Sequence, residues 1–202
     1  MIIAINPQNP QKRLIRRAAE VLRNGGVIAY PTDTFYGIGC DIYNKNAIAK
    51  IYQLKRRPKH KPFSFICSDL KNISKYAQVT NYAYKTMRRL LPGPYTFILE
   101  GSRLVPKIML TKRKTVGIRV PDHQICLAIV HELGNPVVST SATGINGTIL
   151  ESPVEIEEQL GHALDLVIDG GPIVSRPSSV VSLIDDVPEV IREGQGDVSN
   201  FL

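Results

Sequence analysis

Apolar residues recur at helical spacing near the amino terminus, between a cap signal and a glycine pair. Asn9 followed by Pro10 predicts the start of a helix, because asparagine caps well and proline suits the first helical position. Gly25-Gly26 predicts the end of this helix. The apolar stripe between these signals consists of Leu14, Ala18, Val21 and Leu22.

The rest of the chain is a succession of short helical and strand patterns. Apolar residues at helical spacing predict further helices at 45–54, 69–76, 80–90, 123–133 and 153–160. Short runs of β-branched and aromatic residues predict strands at 27–30, 63–67, 95–99, 115–120, 136–140, 164–169, 179–184 and 188–192. No repeat or linker divides the sequence. The pattern therefore predicts an α/β (α+β) fold with a largely mixed sheet, in a single domain of residues 1–202.

The cysteines and the lack of long apolar stretches indicate where such a protein resides. Cys40, Cys67 and Cys126 are widely spaced and form no CxxC pair, which favours free thiols over a disulfide framework or a structural zinc site. No stretch approaches the roughly 20 apolar residues that cross a bilayer. We therefore expect a cytoplasmic protein that does not enter a membrane, and leave open whether it is a monomer or a dimer.

Positive charge is concentrated in the first half of the chain. Residues 1–119 hold 23 Lys and Arg against 5 Asp and Glu, whereas residues 120–202 hold 2 against 13. Such asymmetry favours a polyanionic partner, either a nucleotide or RNA. Solvated, lysine-rich helix faces explain the composition equally well.

A polar, glycine-containing segment follows the predicted strand 27–30. It reads Pro31-Thr32-Asp33-Thr34-Phe35-Tyr36-Gly37-Ile38-Gly39. Ligands of α/β proteins bind at strand ends, and glycine lets backbone approach a ligand closely. The alternative for this segment is a plain turn.

A run of cations ends the predicted helix 45–54. Residues 55–62 read Lys-Arg-Arg-Pro-Lys-His-Lys-Pro, with five cations within seven positions. Lysine and arginine at a helix carboxyl end also complement the helix dipole, so a structural role is a good alternative. The two prolines stiffen the run, which favours a fixed array for phosphates.

Three more segments offer groups suited to an anionic ligand. Arg119 lies in an otherwise apolar strand, where it requires either a structural aspartate or a ligand carboxylate. The hydroxyl cluster 139–143 suits a helix cap or a turn, and it also suits hydrogen bonding to phosphate. Arg192 follows a terminal strand, and Ser178-Ser179 precedes another. The sequence contains no Walker A or GxGxxG motif, so a nucleotide site here is neither a P-loop nor a Rossmann site.

Together these segments resemble the YrdC family, whose best-known members are threonylcarbamoyl-AMP synthases. The matching segments are PTDTFYGIG at 31–39, KRRPKHKPF at 55–63, LPGPYTFIL at 91–99, TVGIRVP at 115–121, STS at 139–141 and VIREG at 190–194. Their order and spacing cover nearly the whole chain. The resemblance implies a YrdC/RibB-like fold, with a twisted mixed sheet flanked by helices around a basic cavity.

The resemblance also implies a reaction and its site residues. ATP (with Mg²⁺), bicarbonate and L-threonine give threonylcarbamoyl-AMP and pyrophosphate, and another enzyme passes the threonylcarbamoyl group to adenosine 37 of tRNA. The implied catalytic residues are Lys55 and Arg57. The implied nucleotide-binding residues are Lys55, Arg57, Thr115, Ser139, Ser141 and Arg192. The implied threonine-binding residues are Thr34, Arg119 and Ser179. No residue is predicted to ligate a metal.

One position departs from the family pattern. Synthases of the family pair Lys-x-Arg with Ser-x-Asn, whereas this chain has Ser141-Ala142-Thr143. Threonine also forms hydrogen bonds but reaches less far than asparagine, and Asn146 is a candidate substitute. This departure and the ending GQGDVSNFL resemble the YciO branch of the family.

A second hypothesis is a non-catalytic or weakly active protein that binds nucleotide or RNA through the same basic cavity. The candidate partners are tRNA and double-stranded RNA, recognised by shape and phosphate. The low aromatic content, 6% with no Trp, disfavours recognition by base stacking. Carbamoyl transfer of the hydrogenase-maturation type is disfavoured because acylphosphatase and zinc-finger segments are lacking.

Overall fold

A mixed sheet forms the centre of the protein. The structure, a computed structural model, describes residues 1–58, 61–144, 146–173 and 176–201. Within these ranges ten strands make one sheet. They are β1 (Ile2–Ala4), β2 (Ile28–Tyr30), β3 (Gly37–Asp41), β4 (Ser64–Ile66), β5 (Tyr95–Glu100), β6 (Thr115–Arg119), β7 (Val137–Ser141), β8 (Leu166–Asp169), β9 (Ser179–Ser182) and β10 (Glu189–Arg192).

Helices begin where short polar side chains cap them. The helices are α1 (Lys12–Arg23), α2 (Lys45–Leu54), α3 (Leu70–Tyr76), α4 (Asn81–Leu90), α5 (Gln124–Leu133) and α6 (Pro153–Leu160). The side chains of Asn44, Asp69, Thr80 and Ser152 accept hydrogen bonds from the first turns of α2, α3, α4 and α6. None of the helices in the described ranges is long and apolar enough to cross a membrane.

The order of strands across the sheet is β1-β8-β2-β3-β7-β4-β6-β5-β9-β10. The pairs β1/β8, β8/β2, β4/β6 and β5/β9 are parallel, and the remaining neighbours are antiparallel. The prediction of an α/β domain with a mixed sheet flanked by helices is therefore confirmed.

The two faces of the sheet are covered differently. On one face, Phe65, Phe97 and Ile118 pack with apolar residues of α2, α3, α4 and α6 in the larger core. On the other face, Ile28 and Tyr30 pack with α1 and α5 in a smaller core. Beyond that smaller core, the second face continues along β7, β4, β6, β5 and β9 as the polar floor of a cavity.

The start of α1 differs from the prediction. Its cap position is Gln11 and its first residue is Lys12, so Asn9 is not the cap. The backbone N–H of Asn9 instead donates to Asn6 Oδ1 at 3.2 Å, in a turn that Asn6 organises. The prediction of Asn9 as the cap was wrong because this turn competes with the helix for the same backbone.

Strands β1 and β3 were not predicted. β1 has only three residues, too few for an alternation signal. β3 contains Gly37 and Gly39 on one face, so two of its five residues carry no side chain and the alternation is lost. The segment 31–39 is therefore a turn followed by a strand. Thr32 Oγ1 fixes this turn by donating to the Phe35 carbonyl oxygen at 2.6 Å.

Candidate functional site

A cavity of about 500 Å³ lies over the uncovered part of the sheet. Its floor consists of alternate residues of neighbouring strands, because successive side chains of a strand point to opposite faces. In β6, Thr115, Gly117 and Arg119 face the cavity, whereas Ile118 is in the larger core. The same parity selects Ser139 and Ser141 in β7. One set of strands thus supplies both an apolar core and a polar floor.

Cations and hydroxyl groups dominate the cavity wall. The cations are Arg57, Lys61, Arg119 and Arg192, and the wall residues in the described ranges include no Asp or Glu. The hydroxyl residues are Ser64, Thr96, Thr111, Thr115, Ser139, Thr140, Ser141 and Ser178. A wall of this composition suits a ligand with several negative charges and many acceptor oxygens.

Gly117 leaves room at the centre of the floor. A Cβ atom at this position would lie 3.3 Å from Thr96 Cγ2, 3.4 Å from Ile98 Cδ1 and 3.4 Å from Ser64 Cβ. Any larger side chain would therefore extend from the floor into the cavity. The glycine in TVGIRVP serves the shape of the cavity rather than a turn.

Arg119 is fixed by a buried ion pair. Its Nη2 donates to Asp33 Oδ1 and to Thr34 Oγ1, both at 2.9 Å. The Arg119 and Asp33 side chains are only 11% and 8% exposed. Arg119 Nε is buried and has no hydrogen-bond partner among the described residues. Arg119 therefore has the structural aspartate that one interpretation required, and the residue also lines the cavity.

Arg192 closes another part of the wall. Its Nε and Nη2 donate to the Ser178 carbonyl oxygen at 3.1 and 2.8 Å. The Ser178 hydroxyl lies 2.9 Å from Thr96 Oγ1. Partial burial, and then the charge of Arg119, lower the pKa of Arg192 from its ordinary value. Two arginines that repel each other across a cavity favour an anion between them.

Arg57 is held by the chain that follows it. Its Nε donates to the Lys61 carbonyl oxygen at 2.7 Å and its Nη2 to the Pro62 carbonyl oxygen at 3.1 Å. The guanidinium carbon lies 4.9 Å from the centre of the Phe63 ring. The cation is thus positioned at the cavity, as the stiff basic run predicts. The basic run 55–62 also includes residues 59 and 60, which lie outside the described residues.

Lys55 lies behind the wall of the cavity. Its ammonium group donates to the Ser141 carbonyl oxygen at 3.0 Å and contacts the Thr143 hydroxyl. Burial, and then the charge of Arg57, lower the pKa of Lys55 to about 8. Lys55 itself lines a smaller neighbouring pocket. Its hydrogen-bond partner Ser141 lines the main cavity.

The structure brings most of the predicted site residues to one place. Arg57, Thr115, Arg119, Ser139, Ser141 and Arg192 all line the cavity. Thr34 is buried behind the cavity wall, where its hydroxyl accepts a hydrogen bond from the wall residue Arg119.

Ser179, like Lys55, does not line the cavity. It is fully buried, its hydroxyl donates to the Gly196 carbonyl oxygen, and it accepts from the Gly194 N–H at 3.0 Å. Adjacent residues of an extended chain face opposite sides, so the two serines of the pair have different surroundings. Ser178 lines the cavity instead.

Several wall residues were not among the predicted set: Lys61, Ser64, Thr96, Thr111, Thr140 and Ser178. Alternation carried a usable signal for two of them. Ser64 interrupts Phe63 and Phe65, and Thr96 interrupts Tyr95 and Phe97. A single polar residue between aromatic residues in a strand indicates a face that differs from the core face.

The fold and the cavity define an α/β protein with a basic, hydroxyl-rich cavity on an open sheet face. The chain belongs to the Sua5/YciO/YrdC family, since the family model described as telomere recombination matches residues 20–194. The resemblance to the YrdC family and its YciO branch is thereby confirmed.

Three relatives illustrate the range of this family. The chain is 46% identical over 200 residues to Escherichia coli YciO, an uncharacterized protein, with 98% of this chain and 97% of that protein covered. The crystal structure of E. coli YciO superposes with a TM-score of 0.94 at 44% identity, covering 100% of this chain and 99% of YciO.

The other two relatives are a named synthase and a threonine complex. The threonylcarbamoyl-AMP synthase of Bacillus subtilis is 35% identical over 198 residues, covering 94% of this chain and 55% of that protein. The crystal structure of P. abyssi Sua5 complexed with L-threonine has a TM-score of 0.87 at 27% identity, covering 96% of this chain and 57% of Sua5.

Proposed function

We propose that this protein binds ATP in the basic cavity and is an L-threonylcarbamoyladenylate synthase of the cytoplasm. Its substrates are ATP, bicarbonate and L-threonine, and its products are threonylcarbamoyl-AMP, pyrophosphate and water. A second enzyme would use the adenylate to modify adenosine 37 of tRNA. The family relationship to a protein named threonylcarbamoyl-AMP synthase supports this reaction.

The composition of the cavity wall carries the proposal. Four cations and eight hydroxyl residues surround about 500 Å³, and the described wall residues include no carboxylate. A triphosphate supplies the negative charge and acceptor oxygens that such a wall requires. Because this wall is positively charged, it repels a free amine or metal ion and favours nucleotide phosphates.

Each group has a role that follows from its charge and position. The Arg119 guanidinium, held by Asp33 and Thr34, would bind the carboxylate of threonine. Arg57, Lys61 and Arg192 would bind phosphate oxygens. The complex of the relative P. abyssi Sua5 with L-threonine supports threonine as a ligand of this protein.

The reaction requires positioning more than covalent help from the protein. The amine of threonine and bicarbonate form a carbamate with loss of water, and a carbamate oxygen forms a new bond to the α-phosphorus. The bond from the α-phosphorus to the bridging oxygen breaks, and pyrophosphate leaves with that electron pair. Fixed cations around the leaving group stabilise its developing charge.

Magnesium would enter this site together with ATP. The described residues contain no group of three or more His, Cys, Asp or Glu that could hold a metal ion. The cavity wall therefore does not fit a metal held by the protein, and the phosphates of the substrate would be the ligands of Mg²⁺.

Product analysis tests the proposal directly. Purified protein is incubated with ATP, Mg²⁺, bicarbonate and L-threonine, and threonylcarbamoyl-AMP and pyrophosphate are separated by chromatography. We expect a product that requires all three substrates and is lost in Arg119→Met. Lys50→Ala, which removes an exposed lysine of α2, is the control and should retain full activity. If the parent protein forms no product, the proposed synthase activity is overturned.

One observation favours a second candidate, a weakly active or non-catalytic protein that binds nucleotide or RNA. The Lys55 ammonium is bonded to the Ser141 carbonyl oxygen and the Thr143 hydroxyl, so it is not directed into the cavity. Equilibrium binding of MgATP, tRNA and double-stranded RNA distinguishes the candidates. Tight RNA binding, without product formation, would support this second function.

A further inference from the structure

A buried tyrosine reaches the cavity from two strands away. Tyr30 in β2 is 2% exposed, and its phenolic O–H donates to Ser139 Oγ in β7 at 2.8 Å. Strand β3 lies between β2 and β7 in the sheet. The ring of Tyr30 therefore crosses one complete strand to reach the wall of the cavity.

Two glycines of β3 make this crossing possible. A Cβ atom at Gly37 would lie 3.0 Å from Tyr30 Cζ and 3.1 Å from its hydroxyl oxygen. A Cβ atom at Gly39 would lie 3.0 Å from Tyr30 Cε1. Since Gly37 pairs with Tyr30 and Gly39 pairs with Ser139, the ring lies over both glycines along its path. Gly37 thus accommodates the Tyr30 side chain, whereas Gly39 accommodates both Tyr30 and the closer Val138 carbonyl oxygen of the neighbouring strand.

The direction of the hydrogen bond follows from burial. Burial raises the pKa of Tyr30 far above its ordinary value, so the phenol keeps its proton. Ser139 is the one hydrogen-bond partner of this hydroxyl among the described residues. If Ser139 donated to Tyr30, the phenolic proton would be buried without an acceptor, which is costly. Tyr30 is therefore the donor.

The Ser139 hydroxyl then has one proton left to give. Its oxygen accepts from Tyr30, and within the described ranges no acceptor is bonded to its own proton. Ser139 lines the cavity, where phosphate or carboxylate oxygens are acceptors only. A serine free to rotate donates or accepts, whereas a serine that already accepts from Tyr30 is biased to donate.

We propose that Tyr30 is a positioning residue that makes the Ser139 hydroxyl a hydrogen-bond donor to an anionic oxygen of the ligand. This inference rests on the proposed binding of ATP in the cavity. It extends the site to a residue that is sealed from the ligand and acts through Ser139. Replacement of either residue should weaken anion binding through the same hydrogen-bond chain.

A double-mutant cycle tests the proposal with MgATP and with inorganic pyrophosphate as probes. Tyr30→Phe and Ser139→Ala are each expected to weaken binding of both probes by about fivefold, the effect of one hydrogen bond. In the Ser139→Ala background, Tyr30→Phe should have no further effect. Tyr95→Phe is the matched control, because its hydroxyl bonds to the Asp197 carbonyl oxygen on the other side of the sheet.

A second variant displaces the tyrosine without removing it. Gly37→Ala introduces a methyl group whose three nearest neighbours all belong to the Tyr30 side chain. It should also weaken binding by about fivefold and should be silent in the Ser139→Ala background. A purely structural role would persist in that background, because the strain on the core does not require the serine hydroxyl.

The outcomes separate this inference from the proposed function. Suppose that the parent protein binds the probes. If the affinity of Tyr30→Phe then equals that of the parent, or if its effect adds to that of Ser139→Ala, only the role of Tyr30 is overturned. Parent protein that binds neither MgATP nor pyrophosphate overturns the nucleotide site and the role of Tyr30 together. If Tyr30→Phe and Gly37→Ala each weaken binding, and neither has a further effect in the Ser139→Ala background, the result supports both the nucleotide site and the role of Tyr30.

Discussion

The ammonium group of Lys55 donates to the backbone carbonyl oxygen of Ser141 at 3.0 Å. Ser141 is part of the cavity wall, so the positive charge of Lys55 lies directly behind a surface that faces the ligand. Burial and the nearby Arg57 lower the pKa of Lys55 to about 8. The charge behind the wall is therefore lost within an accessible range of pH.

The first prediction is that affinity for MgATP falls as the pH rises through about 8, the pKa to which Lys55 is lowered. Below that pH the amine is protonated and attracts the phosphates, and above it the attraction is lost. Linkage requires this sign, because the anion binds more tightly to the protonated form. Titration calorimetry at several pH values measures the dependence.

Two variants define the origin of the pH dependence. Lys55→Met should bind MgATP about tenfold more weakly at neutral pH and lose the dependence near pH 8. Lys50→Met, at an exposed position of the same helix, should behave like the parent. If Lys55→Met retains the parental dependence, another group titrates.

The second prediction concerns the ion pair between Asp33 and Arg119. Asp33→Ala leaves a buried guanidinium without its counter-charge, so we expect the free energy of unfolding to fall by about 3–5 kcal/mol. Chemical denaturation measures this change. Glu132→Ala removes an exposed ion pair, in which the Arg16 side chain is 66% exposed and the Glu132 side chain 37% exposed. This variant should lower the free energy of unfolding by less than about 1 kcal/mol. Equal effects of the two variants would contradict the buried pair.

The third prediction uses Gly117 to vary the depth of the cavity. A single added carbon meets its neighbours at 3.3–3.4 Å, so Gly117→Ala should fold and bind MgATP within about twofold of the parent. Gly117→Leu extends further into the cavity and should weaken binding by at least about tenfold, a loss of ~1.4 kcal/mol. Competition binding with a fluorescent ATP analogue measures both. Parental affinity in Gly117→Leu would show that nucleotide does not bind over this floor.

The parts of the fold that the sequence predicts are those with a repeated physical signal. Helices α2 and α5 bury apolar residues every three or four positions, and their bounds agree with the predicted ranges within one residue. Strand β6 alternates core and cavity residues around Gly117. Short or glycine-containing strands such as β1 and β3 lack such a signal, since their stability comes from neighbours distant in the sequence.

The parts of the site that were missed depend on geometry that spacing does not contain. Choosing between Ser178 and Ser179 requires the parity of the extended chain, which is fixed only by the pairing of β9 with β5. The direction of Lys55 depends on four rotatable bonds and on a partner 86 residues away. The Tyr30–Ser139 bond likewise requires the strand order β2-β3-β7.

The fourth prediction addresses the departure of this chain from the Ser-x-Asn pattern. The Thr143 hydroxyl contacts the Lys55 ammonium, and an asparagine side chain at this position would keep an acceptor for Lys55 while its amide group reaches further. We therefore expect Thr143→Asn to raise the rate of threonylcarbamoyl-AMP formation. A coupled pyrophosphate assay with ATP, bicarbonate and L-threonine measures the rate, and its dependence on threonine excludes simple ATP hydrolysis. Thr148→Asn is the control, because Thr148 is an exposed residue of the same loop. An unchanged or lower rate in Thr143→Asn, with MgATP still bound, would mean that the threonine at this position does not limit activity.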